Sequence, residues 1–211
     1  MGKLHVQIIA VTPFQQNCAL LWDSESGRAA VVDPGGEIGR IEDAIARNGA
    51  KVEAIYITHG HLDHGGGAAD LAATLNVPIY GPDRHDAPLI AEFTGQAQRF
   101  GMEGKPFTPT EWLAEGDTAT LGGHDFAVLH CPGHTPGHIV FVNRKERFAI
   151  VGDVLFRGSV GRTDLPFGDH AALLAAIKQK LLPLGDDFMF ICGHGMGSTF
   201  GEERRSNPFL R

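Results

Sequence analysis

Short apolar runs separated by polar turns dominate the first third of the chain and predict successive strands. The runs lie at residues 4–11, 18–22 and 29–32. From Ile38 onward, apolar residues recur at helical spacing until Asn48 and Gly49 end the pattern, which predicts a helix. The same reasoning predicts a strand at 54–57, a helix at about 65–75 and a strand at 77–80.

A second series of apolar runs follows the middle of the chain. These predicted strands lie at residues 118–121, 125–129, 138–142 and 147–151. Gly122 and Gly123 form a turn between the first two, and the polar residues 143–146 form one between the last two. Strands joined by such short turns are expected to pair in antiparallel fashion.

The last third of the chain contains one more predicted helix and one more strand. Asp169 is placed to cap a helix that carries apolar residues at helical spacing up to Leu181, and residues 188–192 form the final strand. The tail at 193–211 is too polar to hold another domain. Alternating strands and helices of this kind predict an α/β fold with parallel or mixed sheets, and the length suits one domain.

Residues 81–116 are the least regular part of the chain. Four prolines interrupt this segment, while three phenylalanines and Trp112 make it apolar. Long irregular connections in compact domains are often functional, so the segment could cover a site. Aromatic side chains are more often part of a core, so packing of a peripheral layer is the preferred interpretation.

Composition and charge restrict the possible partners. The net charge is −7, and no cluster of Lys or Arg provides the basic surface that nucleic-acid binding needs. The N-terminal residues lack the apolar core of a signal peptide, and no run is long enough to span a membrane. We therefore expect a soluble cytoplasmic protein with a small-molecule substrate, and neither a nucleic-acid nor a membrane partner.

The three cysteines agree with a cytoplasmic protein. Cys18, Cys131 and Cys192 are far apart and never form a C-x-x-C pair, so neither a disulfide framework nor a zinc knuckle is indicated. Each lies in or beside an apolar run, which favours a role as a small buried hydrophobic residue. A catalytic thiol at Cys131 is the alternative.

The most informative stretch directly follows the predicted strand at 54–57. Its ligand-type side chains are His59, His61, Asp63 and His64. Three imidazoles and a carboxylate at these offsets are donors that suit a divalent cation, and adjacent donors can serve two ions. We interpret the stretch as half of a two-metal site.

Other predicted strands also end in residues that can bind or organise a metal. Asp33, His134, Asp153 and His194 each follow an apolar run, as His59 does. In layered α/β folds, sites form at strand ends, so these residues can converge although they are distant in sequence. Asp33 could bond to a ligand histidine or could simply shape its turn.

With these motifs in place, the chain resembles the metallo-β-lactamase fold superfamily. The resemblance rests on the H-x-H-x-D-H motif at 59–64, the segment at 131–138, Gly152-Asp153 and the turn at 193–195, in the expected order. Within the superfamily the chain is most similar to small glyoxalase II-like hydrolases. The resemblance implies a four-layer αβ/βα sandwich of two mixed sheets flanked by helices.

The resemblance also implies a ligand set for two divalent metal ions, zinc above all, with iron or manganese as further options. The first ion is expected on His59, His61 and His134. The second is expected on Asp63, His64 and His194, and Asp153 is expected to bridge the two ions. It further implies a single domain spanning 1–211 that lacks the C-terminal helical glutathione-binding domain of glyoxalase II.

The implied activity is hydrolysis of thioesters such as S-D-lactoylglutathione by metal-bound hydroxide, with Asp63 orienting the hydroxide. Arg162 matches a basic residue that grips glutathione, although it could instead pair with Asp164 or Asp169. Asp164 stands where the family places a tyrosine, which weakens the expectation of glutathione specificity.

Other functions remain possible from the sequence. Residues 161–164 and the C-terminal tail also resemble persulfide dioxygenases, which use one iron on two histidines and an aspartate, here His59, His134 and Asp153. A metal-binding scaffold without activity is a third interpretation. β-Lactam hydrolysis is disfavoured because Asp153 stands where many such enzymes use cysteine, and nuclease relatives would need a basic surface.

The remaining histidines receive structural interpretations. His130 and His138 flank the metal motif and are expected to make hydrogen bonds, because the seven-ligand set is already complete. The others are expected to be solvated or to cap helices, and these are His5, His85, His124 and His170.

Overall fold

The computed structural model describes residues 2–211 and contains thirteen strands and seven α-helices within that range. The strands are β1 (Leu4–Val11), β2 (Gln16–Asp23), β3 (Arg28–Val32), β4 (Lys51–Tyr56), β5 (Ile79–Tyr80), β6 (Thr118–Leu121), β7 (His124–His130), β8 (Ile139–Asn143), β9 (Phe148–Ile150), β10 (Leu155–Phe156), β11 (Ser159–Val160), β12 (Met189–Ile191) and β13 (Ser198–Thr199). The helices are α1 (Ile38–Arg47), α2 (Leu62–Gly65), α3 (Ala68–Leu75), α4 (Ala87–Ala91), α5 (Phe93–Phe100), α6 (His170–Ala176) and α7 (Phe200–Ser206). Helix α6 continues into a π-helical turn at Ile177–Leu181.

Two mixed sheets form the centre of the fold. The first has the order β1-β2-β3-β4-β5, with β3, β4 and β5 parallel. The second has the order β13-β12-β9-β8-β7-β6, and its strands β6 to β9 form the antiparallel meander that the sequence predicts. Strand β12 joins this meander in parallel with β9.

Helices cover the outer faces of both sheets. Ile41 of α1 and Leu71 of α3 pack in the apolar cluster on one side of the first sheet. Leu173 of α6 and Phe200 of α7 pack on the far side of the second. Apolar side chains of both sheets, such as Phe141, fill the space between them. The expected four-layer αβ/βα sandwich is therefore confirmed. Because both faces of each central sheet are covered, a central strand such as β8 is buried along its whole length.

The structure differs from the sequence interpretation in three places. The helix predicted at 65–75 begins at Ala68, and a separate short helix, α2, precedes it and carries Asp63 and His64. The hairpin of β10 and β11 was not predicted, because two-residue strands carry too little pattern. The polar tail forms β13 and α7, and Phe200 anchors it in the core.

The irregular segment at 81–116 packs mainly as a peripheral layer. It contains a short 3₁₀ turn, Arg84–Asp86, followed by α4 and α5. Ile90 and Phe93 pack with Leu62 of α2 in a separate apolar cluster. Phe100, by contrast, is exposed and meets the ring of Phe14 edge-on at 5.9 Å. The segment thus supports the helix that carries Asp63 and His64.

None of the helices described within residues 2–211 combines the length and the apolar character needed to cross a bilayer.

Candidate metal centre

Five of the predicted site residues lie just beyond the carboxyl ends of strands, at one edge of the sandwich. Asp33 follows β3, His59 follows β4, His134 follows β7, Asp153 follows β9 and His194 follows β12. Because β3 with β4, and β9 with β12, are parallel neighbours, their carboxyl ends meet at a common edge. The convergence expected from the sequence is therefore present.

Three imidazoles form the first group of potential ligands, which we call the first triad: His59, His61 and His134. His61 Nδ1 lies 3.1 Å from His59 Nε2 and 2.9 Å from His134 Nε2. Three ring nitrogens thus point at one small space, as the ligands of a single ion do.

Asp63, His64 and His194 form the second group, which we call the second triad. Asp63 Oδ2 lies 3.9 Å from His64 Nε2 and 3.3 Å from His194 Nε2. Asp63 and His64 are adjacent on α2, and His194 follows β12, so the group joins the two halves of the fold.

Asp153 lies between the two triads. Its Oδ1 is 3.4 Å from His64 Nε2, and its Oδ2 is 3.5 Å from His134 Nε2 and 3.6 Å from His194 Nε2. One carboxylate therefore faces ligands of both groups, which is the geometry that a bridging ligand requires.

Hydrogen bonds on the outer side of the imidazoles fix which nitrogen faces the centre. His134 Nδ1 donates to the carbonyl of Arg162 at 2.8 Å, and His194 Nδ1 donates to the carbonyl of Phe14 at 3.1 Å. A carbonyl can only accept, so Nδ1 carries the proton in both rings. Their Nε2 lone pairs are left facing inward, as metal ligation needs.

Asp33 and Thr58 orient one histidine of each triad. Asp33 Oδ2 accepts from His64 Nδ1 at 2.8 Å and from Thr58 Oγ1 at 2.6 Å. Because the Thr58 hydroxyl donates its only hydrogen to Asp33, its oxygen accepts a hydrogen bond from His59 Nδ1 at 3.0 Å. Asp33 thus bonds directly to His64, a potential ligand, and it reaches His59 through Thr58.

The two triads differ in their electrostatics. Burial lowers the pKa of His59 and lowers that of His61 to about 3, so the first triad is a set of neutral donors. In the second triad, burial lowers the pKa of His64, but the carboxylates of Asp153, Asp63 and Asp33 together raise it above its ordinary value. The second triad is therefore the more anionic environment.

Two buried atoms at the centre lack a hydrogen-bond partner among the described residues. His64 Nε2 and Asp153 Oδ1 are both inaccessible to solvent, and both face the second triad. Unpaired buried polar atoms are costly, and a cation would satisfy both of these. With nitrogen and carboxylate donors arranged in two groups, the residues fit divalent metal ions.

A family model decides the membership of this chain. Residues 11–194, which include every residue of both triads, match the model described as the metallo-beta-lactamase superfamily. The chain belongs to the metallo-beta-lactamase superfamily.

Relatives of this superfamily chain support the same assignment. Hydroxyacylglutathione hydrolase GloC of Haemophilus influenzae is 47% identical over 209 residues, with 98% of each chain covered. Among solved structures, TTHA1623 in a di-iron-bound form has a TM-score of 0.88 and 39% identity, covering 97% of this chain and 100% of that one. The BLEG-1 B3 metallo-beta-lactamase has a TM-score of 0.89 and 33% identity, covering 98% and 99%. The expectation of a metal-dependent hydrolase is thus confirmed.

A tight approach of the backbone supports the second triad of this superfamily member. A methyl group on Gly193 would collide with Asp153 Oδ1 and would lie 2.6 Å from His64 Cε1. Only a residue without a side chain leaves room for Asp153 and His64 at this point.

Arg162 lies beside the centre, but its guanidinium points to a different partner. The side chain is paired with Asp164 through two hydrogen bonds of 2.8 and 2.7 Å, and both side chains are exposed. The Arg162 carbonyl, in contrast, accepts the Nδ1 proton of His134. Of the two ion-pair partners considered from the sequence, Asp164 is the one observed.

His138 and His130 have structural roles, as predicted. His138 Nε2 accepts the backbone N–H of Asp153 at 3.0 Å, and the His138 ring stacks on His59 with centroids 4.5 Å apart. His130 Nε2 donates to the carbonyl of Pro136 at 2.8 Å. Both therefore help to hold ligand segments in place.

The structure contradicts the sequence interpretation of His124 and confirms that of the cysteines. His124 was expected to be solvated or capping, which is wrong: it is buried and its Nε2 lies 3.2 Å from Asp23 Oδ2. The cysteines are free and buried, as predicted. Burial raises the pKa of the Cys131 thiol to about 12, which rules against a catalytic thiol there.

A further group of potential ligands, Asp83, His85 and His130, lies outside the centre. Protein atoms already use these side chains, because Asp83 Oδ1 accepts from His85 Nδ1 and His130 Nε2 bonds to a carbonyl. His85 is also largely exposed. Among the described residues, the group contains no unpaired buried atom of the kind found at His64 Nε2 and Asp153 Oδ1.

Proposed function

We propose that this protein is a binuclear metal-dependent hydrolase of thioesters, acting on hydroxyacylglutathione-type substrates such as S-D-lactoylglutathione. The observation that carries the proposal is the pair of ligand triads joined by Asp153. The activity named for the Haemophilus influenzae relative, at 47% identity over nearly the full chain, supports the substrate class.

We assign the seven ligands as follows. His59, His61 and His134 hold the first ion; Asp63, His64 and His194 hold the second; and Asp153 bridges them. Three protein ligands per ion plus a bridge leave open positions, which a catalytic site requires and a structural site lacks. We propose zinc as the metal, because imidazole and carboxylate donors suit it, and the same donors also accept iron or manganese.

Two divalent cations at these positions would lower the pKa of a shared water toward neutrality and would stabilise negative charge on the carbonyl oxygen of the substrate. The protein supplies the surrounding order. Asp63 Oδ2 lies 3.3 Å from His194 Nε2 at the solvent side of the centre, where it can accept a hydrogen bond from the attacking water and orient it. The leaving thiolate, with a pKa of about 8.5, needs little help from an acid.

The centre is open on one side only. His59, His64 and His134 are buried, whereas His61, Asp63 and His194 are partly exposed. A substrate therefore reaches the centre past the latter three. The ring of Phe156 lies 6.3 Å from that of His194 and gives this approach an apolar wall.

The mononuclear dioxygenase alternative is less well supported. It would use His59, His134 and Asp153 and would leave the second triad without a bound ion. The unpaired buried atom His64 Nε2 faces that second triad, and a single ion on the other three residues does not account for it. An inactive scaffold is also less well supported, because the partly exposed ligands leave room for a substrate.

The test combines metal content with substrate hydrolysis. We expect two metal ions per chain in the purified protein and loss of the thioester absorbance of S-D-lactoylglutathione. Asp63→Ala should reduce turnover by at least about tenfold, because it removes a ligand of one ion. Asp43→Ala, which removes an exposed carboxylate on α1, is the matched control and should leave turnover unchanged.

Three outcomes would overturn the proposal. Unchanged turnover in Asp63→Ala would contradict the binuclear mechanism. One iron per chain together with sulfite formation from glutathione persulfide would establish the dioxygenase instead. Hydrolysis of a chromogenic β-lactam faster than of the thioester would assign the protein to the activity named for its structural relative.

A further inference from the structure

Asp86 is a fully buried carboxylate that belongs to neither triad. It ends the 3₁₀ turn Arg84–Asp86 in the irregular segment at 81–116 and has no solvent exposure. Its sequence context contains no motif that singles it out. Its surroundings in the fold, however, are unusual.

The Asp86 carboxylate accepts three hydrogen bonds from the described residues, all from the two segments that carry the first triad. Asp86 Oδ2 accepts from the backbone N–H of Gly60 at 2.7 Å and from Thr135 Oγ1 at 2.7 Å. Asp86 Oδ1 accepts from the backbone N–H of Gly137 at 2.5 Å. Gly60 separates His59 from His61, and Thr135 follows His134.

The packing around Asp86 is as specific as its hydrogen bonding. A methyl group on Gly60 would lie 3.0 Å from Asp86 Cβ, and one on Gly137 would lie 2.8 Å from Asp86 Cγ and 2.6 Å from its backbone nitrogen. Each glycine therefore allows its segment to approach Asp86 closely enough to donate a backbone N–H. The backbone N–H of Asp83 also donates to the carbonyl of Gly137 at 3.0 Å, which fixes the same turn from the other side.

The buried carboxylate is costly unless it has a specific role. Burial raises the pKa of Asp86 to about 6, and the three donors from Thr135, Gly60 and Gly137 only partly offset this effect. An apolar residue would avoid that cost but could not bond to both segments at once.

We propose that Asp86 is a positioning residue for the first metal ion: by bonding to both segments, it sets the distance between the His59–His61 pair and His134. The inference rests on the proposed function only in requiring that the first triad holds an ion. Asp63 and His64 lie on α2, and His194 follows β12. Neither α2 nor the β12 end contains a donor to the Asp86 carboxylate, so the second ion is expected to depend on it less.

The experiment measures cobalt(II) binding in two backgrounds, because cobalt reports its ligands by its visible absorption. In Asp63→Ala/His194→Ala, only the first triad remains to bind an ion. In His61→Ala/His134→Ala, only the second triad remains. Each background is compared with and without Asp86→Asn, in which the amide oxygen accepts two hydrogen bonds and the amide nitrogen opposes the third donor.

We expect Asp86→Asn to weaken cobalt binding about 10- to 100-fold in the first background and by less than about twofold in the second. Asp23→Asn is the matched control, because Asp23 is also a buried carboxylate with several donors but lies away from both triads. It should leave both affinities unchanged. An equal loss in both backgrounds, an equal loss in the control, or no loss at all would overturn the proposal.

A second pair of variants serves if Asp86→Asn does not fold. Thr135→Val removes one donor to Asp86 while keeping the side-chain shape, and it should weaken binding in the first background. Thr135→Ser keeps the hydroxyl and should leave the cobalt affinity of this background unchanged. Equal losses of affinity in the Val and Ser variants would contradict the proposal. Because cobalt binding is independent of turnover, a protein that binds cobalt as expected but does not cleave thioesters would refute the proposed function alone.

Discussion

Asp33 Oδ2 lies 2.8 Å from His64 Nδ1 and holds that ring in the tautomer whose Nε2 faces the second triad. Asp33 has a left-handed backbone conformation, with φ at +54°, which asparagine also tolerates. Asp33→Asn therefore keeps the turn while it replaces an acceptor by a group that can donate. This separates the electronic role of the carboxylate from its role in the backbone.

We expect Asp33→Asn to weaken binding of the second ion about 10- to 100-fold, because the amide favours the His64 tautomer with its proton on Nε2. Metal titration of the purified variant measures this. The affinity for the first ion should fall less, since Asp33 reaches His59 only through Thr58. A second ion bound as tightly as in the parent protein would show that the tautomer is fixed by other means.

Gly193→Ala should weaken binding of the second ion through a steric conflict. The added methyl would collide with Asp153 Oδ1 and lie 2.6 Å from His64 Cε1. We expect at least about a tenfold loss of affinity at the second triad and a parallel loss of thioester turnover. Gly39→Ala is the control: nothing lies within 4 Å of its added methyl in α1, so metal content should stay unchanged.

Glu203 is expected to stabilise the C-terminal helix rather than the chemistry. This buried carboxylate accepts hydrogen bonds from Gly158 N, Ser198 Oγ and Asn207 Nδ2. Glu203→Ala leaves three donors unsatisfied and should lower the free energy of unfolding by about 3 kcal/mol in urea denaturation. The exposed neighbour Glu202 forms a surface ion pair with Arg205, so Glu202→Ala should lower the free energy of unfolding far less. Equal costs would argue against the hydrogen-bond account.

Stability in acid is expected to depend on Asp23. Hydrogen bonds from Ser26 above all, and from Glu25 and His124, lower the pKa of Asp23 in the folded state. The carboxylate therefore stabilises the fold above its unfolded pKa of about 3.9, and this contribution is lost as the pH falls below that value.

Urea denaturation at pH 7, 5 and 3 tests this prediction on the parent protein and on Asp23→Asn. The parent should lose more stability than the variant between pH 5 and pH 3, because only the parent has the carboxylate to protonate. Asp43→Asn, at an exposed position, should follow the parent. Parallel curves for parent and Asp23→Asn would contradict the assignment.

The pair Arg162 and Asp164 tests how the substrate is recognised. If Arg162 binds a carboxylate of glutathione, it must give up its two hydrogen bonds to Asp164. Arg162→Ala should then raise KM for S-D-lactoylglutathione roughly two- to fivefold, and Asp164→Ala should lower it by a similar factor, with kcat unchanged in both. No change in KM in either variant would exclude Arg162 from substrate binding.

Local motifs made most of the centre predictable from the sequence. His59 to His64 carry fixed offsets, and His134, Asp153 and His194 each follow a recognisable apolar strand. Because the ends of parallel strands meet at one edge, the convergence follows from the strand order alone. The role of Asp33 stayed open because a turn aspartate and one bonded to a ligand look identical in sequence.

Long-range partners were not predictable. His124 and Asp23 are 101 residues apart, and Asp86 and Gly137 are 51 apart, so no spacing rule connects them. The helix α7 is polar over most of its surface and is anchored by Phe200, which gives a weak periodic signal. Such features depend on the tertiary arrangement of the chain.

The seven proposed ligands are divided between the two halves of the sandwich: the first half carries His59, His61, Asp63 and His64, and the second carries His134, Asp153 and His194. A bound ion would therefore cross-link the two halves. The resistance of the protein to heat and proteases would then depend on the free metal concentration. At a hundredfold excess over the dissociation constant, one ion adds about 2.7 kcal/mol. A low metal concentration would thus shorten the lifetime of the folded chain as well as reduce its catalytic turnover.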